Sequence, residues 1–98
     1  LNLFEGRKII ILGDMLELGN DSKLFHEEAG QYALNAGIES LFSFGNHSKY
    51  ASMVFGKNGK HFDDENDLKL FIKNNISSGD LVYIKGSRGM KMERFIDD

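Results

Sequence analysis

Lys85-Gly86-Ser87-Arg88-Gly89 packs a lysine, an arginine, a hydroxyl and two glycines into five consecutive positions, followed by Met90-Lys91-Met92-Glu93. A lysine point charge, an arginine fork and backbone N–H groups at a helix start are the groups that hold a phosphate or a carboxylate. Glycine lets backbone approach such a ligand closely. The apolar run Leu81-Val82-Tyr83-Ile84 precedes these residues and reads as a buried strand delivering them to one place. A second cluster, Gly13-Asp14-Met15-Leu16-Glu17-Leu18-Gly19, follows the apolar run Ile9-Ile10-Ile11-Leu12. An aspartate just after a first strand can accept from ribose hydroxyls or reach a metal. It can also bond its own backbone in a turn. Lys85 and Arg88 have a plainer reading too, as a strand end and a solvated loop cation, and Ser87 as a helix cap.

The remaining polar residues carry weaker signals. Glu17 suits catalysis or a solvated loop. His26 falls in the first turn of a helix, where packing or surface roles are commoner than ligation. His47 and His61 are scattered, and no H-E-x-x-H spacing for a metal occurs. Asp63-Asp64-Glu65 resembles paired carboxylates but suits a helix N-terminus through its dipole. There is no G-x-G-x-x-G, no G-K-[ST] and no G-x-S-x-G, so neither a complete phosphate-cradling loop nor a nucleophile elbow is present. The residues alone describe an anion-oriented crevice lacking the equipment for chemistry by itself.

The elements that must position these residues alternate in type. Strands are expected at Lys8 to Leu12, Ser40 to Phe44, Lys60 to Phe62 and Leu81 to Ile84. Continuous apolar runs such as the first suggest strands covered on both faces. Helices are expected at 21–36, 48–57, 65–75 and about 89–96. The first has Phe25, Ala29, Tyr32 and Ala36 on one face, a cap at Asp21 or Ser22, and Gly37 closing it. The second turns Tyr50, Ala51, Val54 and Phe55 inward. The third turns Leu68, Phe71 and Ile72 inward, with Asp63 or Asp64 as cap. The last buries Met92, Phe95 and Ile96. Repeated β–α units imply an α/β, Rossmann-like, mostly parallel sheet with helices on both faces. A strand order of 3-2-1-4 makes the first and fourth strands neighbours. Gly13, Asp14, Lys85 and Ser87 would then face one crevice beyond the carboxyl ends of the strands.

Size and charge bound the rest. The 98 residues suit one domain, and 41% hydrophobic residues suffice for a core. No run approaches the ~20 apolar residues of a membrane helix, and no signal peptide is visible. The first residue is Leu1, which suggests a processed product or a piece of something longer. The absence of cysteine rules out disulfides and thiolate metal sites and suits a reducing compartment. A net charge of −3 argues against salt-driven nucleic-acid binding. Lys85, Arg88, Lys91 and Arg94 nonetheless crowd the last fourteen positions, and a local anion site is compatible with an acidic whole.

Gly13-Asp14-Met15-Leu16-Glu17-Leu18-Gly19, then His26-Glu27-Glu28-Ala29-Gly30, then Lys85 to Glu93, in that order and spacing, resemble the C-terminal domain of the Mur ligases of bacterial peptidoglycan synthesis. The resemblance runs over nearly the whole chain. It lies with the branch that uses ATP and Mg2+ to join D-Ala-D-Ala to UDP-MurNAc-tripeptide through an acyl phosphate. It implies a cytoplasmic, monomeric three-domain enzyme serving cell-wall synthesis, and with it cell shape and division, without contact to nucleic acid or membrane. The N-terminal domain holds the UDP-sugar precursor. The central domain carries the P-loop and the magnesium site. The third, Rossmann-like domain, residues 1–98 here, closes over both and is inactive alone. Position by position, the resemblance implies nucleotide binding at Gly13 and Asp14 and substrate binding at Lys85, Ser87 and Arg88. It places no catalytic or metal-ligating residue within this domain.

Two other classes compete. One is a stand-alone flavodoxin-like receiver module, with a lysine after a late strand and Asp63 as phospho-acceptor. Receivers carry an acidic pair after the first strand, however, and Gly13-Asp14 offers one carboxylate. The other is a structural interaction domain, which leaves Lys85 and Arg88 without a ligand.

Overall fold

The computed structural model describes residues 6–15, 19–77, 79–86 and 91–95. Four strands, β1 (Lys8–Gly13), β2 (Ser40–Phe44), β3 (Gly59–Phe62) and β4 (Leu81–Lys85), form one sheet in the order β3-β2-β1-β4, and every pairing is parallel. Helices α1 (Ser22–Asn35), α2 (Lys49–Phe55) and α3 (Glu65–Asn75) fill the connections. A short 3-10 turn at Gly19–Asp21 leads into α1 and another spans Met92–Phe95. The α/β class and the 3-2-1-4 order expected from the sequence are both present.

Two cores flank the sheet, as covering both faces of a parallel sheet requires. Ile9 and Ile11 point to one side, with Phe42, Phe62, Leu68, Met92 and Phe95. Leu12 points to the other, with Leu41, Ala33, Ala51 and Phe55, and Ile10 packs beside it. The unbroken apolar run of β1 therefore serves both cores. Each fully buried isoleucine contributes about 1.5–3 kcal/mol of transfer free energy. Phe42 and Phe71 meet edge to face at 4.9 Å, which ties α3 to β2.

Several helix and strand boundaries match the sequence reading. Asp64 is the α3 cap, accepting from the backbone N–H groups of Asn66 and Asp67. Gly37 has φ 84, which supplies the left-handed residue after α1.

Other expectations need correction. The α1 face drawn through Phe25, Ala29, Tyr32 and Ala36 is not the buried one. Tyr32 is 76% and Phe25 40% exposed, whereas Ser22, His26, Gly30 and Ala33 are buried. The cause is close helix packing. A Cβ on Gly30 would sit 2.4 Å from the Ala51 carbonyl oxygen, so α1 approaches α2 along its small residues. In α2 the buried set is Ala51, Ser52 and Phe55, while Tyr50 and Val54 are only half-buried. The strand β4 is not buried on both faces. It is a sheet edge: Val82 and Ile84 reach the α3-side core, while Leu81 and Tyr83 are 38% and 41% exposed. The expected last helix is a four-residue 3-10 turn among the described residues. Lys91 has φ 48, so a helix starting near residue 89 cannot run through it. Met92 and Phe95 are buried as expected, and Ile96 lies outside the described residues.

Candidate functional site at the strand ends

The pairing of β1 with β4 sets Leu12 opposite Lys85, so Gly13 and Gly86 emerge side by side. A Cβ on Gly86 would lie 3.3 Å from the Gly13 Cα. A Cβ on Gly13 would lie 2.4 Å from the Met92 sulfur. These glycines let the buried Met92 side chain seat against both strand ends. The described starts of the two sequence motifs, Gly13 and Lys85 with Gly86, thus lie together at the neighbouring carboxyl ends of β1 and β4.

Asp14 turns away from β4 and toward β2. It is 3% exposed. Its carboxylate accepts from the backbone N–H groups of Asn46 at 2.7 Å, His47 at 3.0 Å and Ser48 at 2.8 Å. Burial pushes its carboxyl up, but the donors of Ser48, His47 and Asn46 outweigh that and hold it below the usual aspartate value. The turn is shaped to admit it: Gly45 has φ 127, and a Cβ there would lie 2.4 Å from Asp14 Oδ1. The Ser48 hydroxyl donates to the Phe44 carbonyl at 2.9 Å, closing the same turn.

His26 performs the matching task on α1. It is fully buried. Its Nδ1 lies 2.7 Å from the Ser22 carbonyl oxygen and its Nε2 accepts from the Met15 N–H at 3.0 Å. Those partners require the neutral tautomer with its proton on Nδ1. The exposed His47 ring stacks on it, with centroids 6.4 Å apart and planes at 24°. The loop after β1 is therefore pinned at two consecutive residues, Asp14 to the β2–α2 turn and Met15 to α1.

Lys85 is exposed and has no carboxylate partner among the described residues. It borders a cavity of about 170 Å³ whose other walls are Ile10, Leu12, Ala29, Tyr32, Ala33 and Leu41. An aliphatic stem suits such a wall while its ammonium stays in water. Ser87, Arg88 and Glu17 lie outside the described residues. No group of three or more metal-ligating side chains occurs among the described residues.

A Ser–His–Asp series does occur elsewhere. Ser43 Oγ lies 2.7 Å from His61 Nδ1, and His61 Nε2 lies 3.1 Å from Asp63 Oδ1. It is a cross-link, not a nucleophile: Ser43 is fully buried and also bonds Ser52 of α2. Asp63 follows β3, the sheet edge farthest from β4, and its side chain is 90% exposed. That placement separates it from Lys85 and removes the support for a receiver site.

Sequence reasoning missed what His26, Ser43 and Ser48 do. The signal for His26 was its spacing: Ser22, His26, Gly30 and Ala33 fall at i, i+4, i+8 and i+11, a small and polar face beside the more conspicuous aromatic one.

No helix among the described residues is long and apolar enough to cross a membrane. The family described as "Mur ligase, glutamate ligase domain" matches residues 1–88. The UDP-N-acetylmuramoyl-tripeptide–D-alanyl-D-alanine ligase of Bacillus subtilis is 38% identical over 95% of this chain, which covers 21% of that enzyme. The enzyme of the same name from Escherichia coli is 36% identical over 93% of the chain, which covers 20% of it. Among solved structures, the MurF ligase of Thermotoga maritima in complex with ADP superposes with a TM-score of 0.74 at 28% identity, over 95% of this chain and 21% of that one. The chain thus spans about a fifth of the length of these relatives. With its sheet order, its paired glycine strand ends and a family match over most of its length, the chain belongs to the Mur ligase family, as a glutamate ligase domain.

Proposed function

We propose that this is the closing domain of an ATP-dependent amide-forming ligase that adds D-Ala-D-Ala to UDP-MurNAc-tripeptide in peptidoglycan synthesis. The observation that carries the reading is the adjacency of the β1 and β4 ends, in a chain 38% identical to an enzyme of that name. The reaction transfers the γ-phosphoryl group to the tripeptide carboxylate. The dipeptide amine then attacks the carbonyl carbon and phosphate leaves. The enzyme acts in the cytoplasm as a monomer, with N-terminal and central domains that hold the UDP-sugar and Mg-ATP.

Within this domain, Lys85 and Arg88 supply cationic partners for the dipeptide carboxylate, and Ser87 a hydroxyl beside them. A cation at that place also favours charge developing on the attacked carbonyl. Gly13 lets backbone come close to the nucleotide. Asp14 serves the nucleotide side through the loop it holds, because its oxygens are already engaged by three N–H donors. Closure brings these groups in and excludes water that would hydrolyse the acyl phosphate.

The test is ADP release by the full-length enzyme with UDP-MurNAc-tripeptide and ATP. Release that requires D-Ala-D-Ala and falls by roughly tenfold or more in Arg88→Ala agrees with the loss of one charge-assisted contact. Release indifferent to the dipeptide would sink the reading.

A further inference from the structure

The cleft at the opposite end of the sheet has no part in the site above. It opens at the amino ends of β2 and β3, measures about 350 Å³, and its walls include Arg7, Ser40, Lys57, Asn58, Lys60 and Asn75. Three of its walls are cations. Arg7 is held in place: its guanidinium donates to Asp80 at 2.9 Å and to the Asn75 carbonyl oxygen. Asp80 is fully engaged, accepting also from the backbone N–H groups of Arg7 and Ser77. Lys60 rests over the Phe62 and Phe71 rings, 5.5 and 5.7 Å from their centroids, and has no carboxylate partner among the described residues. Lys57, exposed on the turn before β3, has no partner among them either. The neighbouring Glu39 carboxylate is turned to the Lys8 backbone N–H.

The cleft thus holds two uncompensated ammonium groups and a fixed guanidinium in a chain whose net charge is −3. Side-chain amides of Asn58 and Asn75 and the Ser40 hydroxyl add neutral hydrogen-bonding groups around them. The carboxyl end of α3 also reaches the cleft and disfavours an anion, but the Arg7 contact to the Asn75 carbonyl offsets that end.

We propose that this cleft binds a small multivalent anion bearing phosphate or carboxylate groups, held between Lys57, Lys60 and Arg7. Lys57 and Lys60 supply the unpaired charges, and Arg7, fixed by Asp80 and the Asn75 carbonyl oxygen, sets a planar guanidinium beside them. The site is independent of the ligase reading, because none of its residues belongs to the β1 and β4 strand ends.

Amide shifts of the 15N-labelled chain test it, with pyrophosphate and citrate titrated separately in about 0.15 M NaCl, where exposed charges more than about 8 Å apart are screened. Saturable shifts at Arg7, Asn58, Gly59 and Lys60 are expected. Saturation by one anion or by both identifies which group the cleft takes. Lys57→Gln, whose side chain holds nothing in the fold, is expected to weaken binding by roughly tenfold, with the amide pattern of β1 and β2 unchanged. Adding Lys60→Gln is expected to abolish it. Shifts that grow linearly and are matched by NaCl at equal ionic strength would overturn the proposal. So would equal affinity in the Lys57→Gln protein, or shifts confined to Gly13 through Met15.

Discussion

Asp14 shows how a residue can serve a site without facing it. Its motif suggested a ligand contact, and the fold spends both of its oxygens on three backbone N–H groups of one turn. Asp14→Ala leaves those donors without an acceptor in a buried place. We expect a loss of about 2–4 kcal/mol in urea unfolding, and a smaller loss for Asp14→Asn, which keeps one oxygen. The acid dependence follows from the direction of the shift. A carboxyl held below its ordinary value contributes stability above that ordinary value, and the contribution is lost as pH falls through the folded-state value. Asp80 behaves alike: the Arg7 side chain, then the Ser77 and Arg7 backbone donors, hold it down to about 2. Stability measured from pH 6 downward should therefore stay level until about pH 4 and fall below it. In Asp14→Asn the fall should be shallower. His26→Ala removes the acceptor of the Met15 N–H and should cost about 1–3 kcal/mol. The role of Asp14 was not legible beforehand, because an aspartate after a strand looks the same whether it turns outward or inward.

At the scale of elements, reading succeeded where local chemistry decides. The span of α3 follows from Asp64 and the turn residues beside it, and β2 from the glycine and asparagine after it. Reading failed where packing decides. Gly30 chose the buried face of α1, and periodicity favoured the aromatics because they are larger. Gly30→Leu puts a side chain where even a Cβ would meet the Ala51 carbonyl oxygen at 2.4 Å. The expected cost is about 1–3 kcal/mol or more, with α1 and α2 forced apart. A lowered midpoint in urea with an unchanged slope would agree; an unchanged midpoint would show that α1 does not pack as described. The apolar run of β4 reads as a buried strand, but its composition does not show that the outer face, with Leu81 and Tyr83, stays exposed.

For the whole molecule, sheet order was the most informative quantity legible in advance. Parallel β–α units in the expected order placed β1 beside β4, and Gly13 and Gly86 lie side by side there. The roles of the individual residues at that junction were not legible, since in the proposed reading they depend on further domains. The central claim is that the β1 and β4 ends receive the dipeptide during the ligase reaction. The most direct measurement is the KM of the full-length enzyme for D-Ala-D-Ala and for ATP, before and after Lys85→Ala. Loss of a cationic partner should raise KM for D-Ala-D-Ala by roughly tenfold and leave KM for ATP nearly unchanged. Unchanged KM and kcat for both substrates would contradict the account.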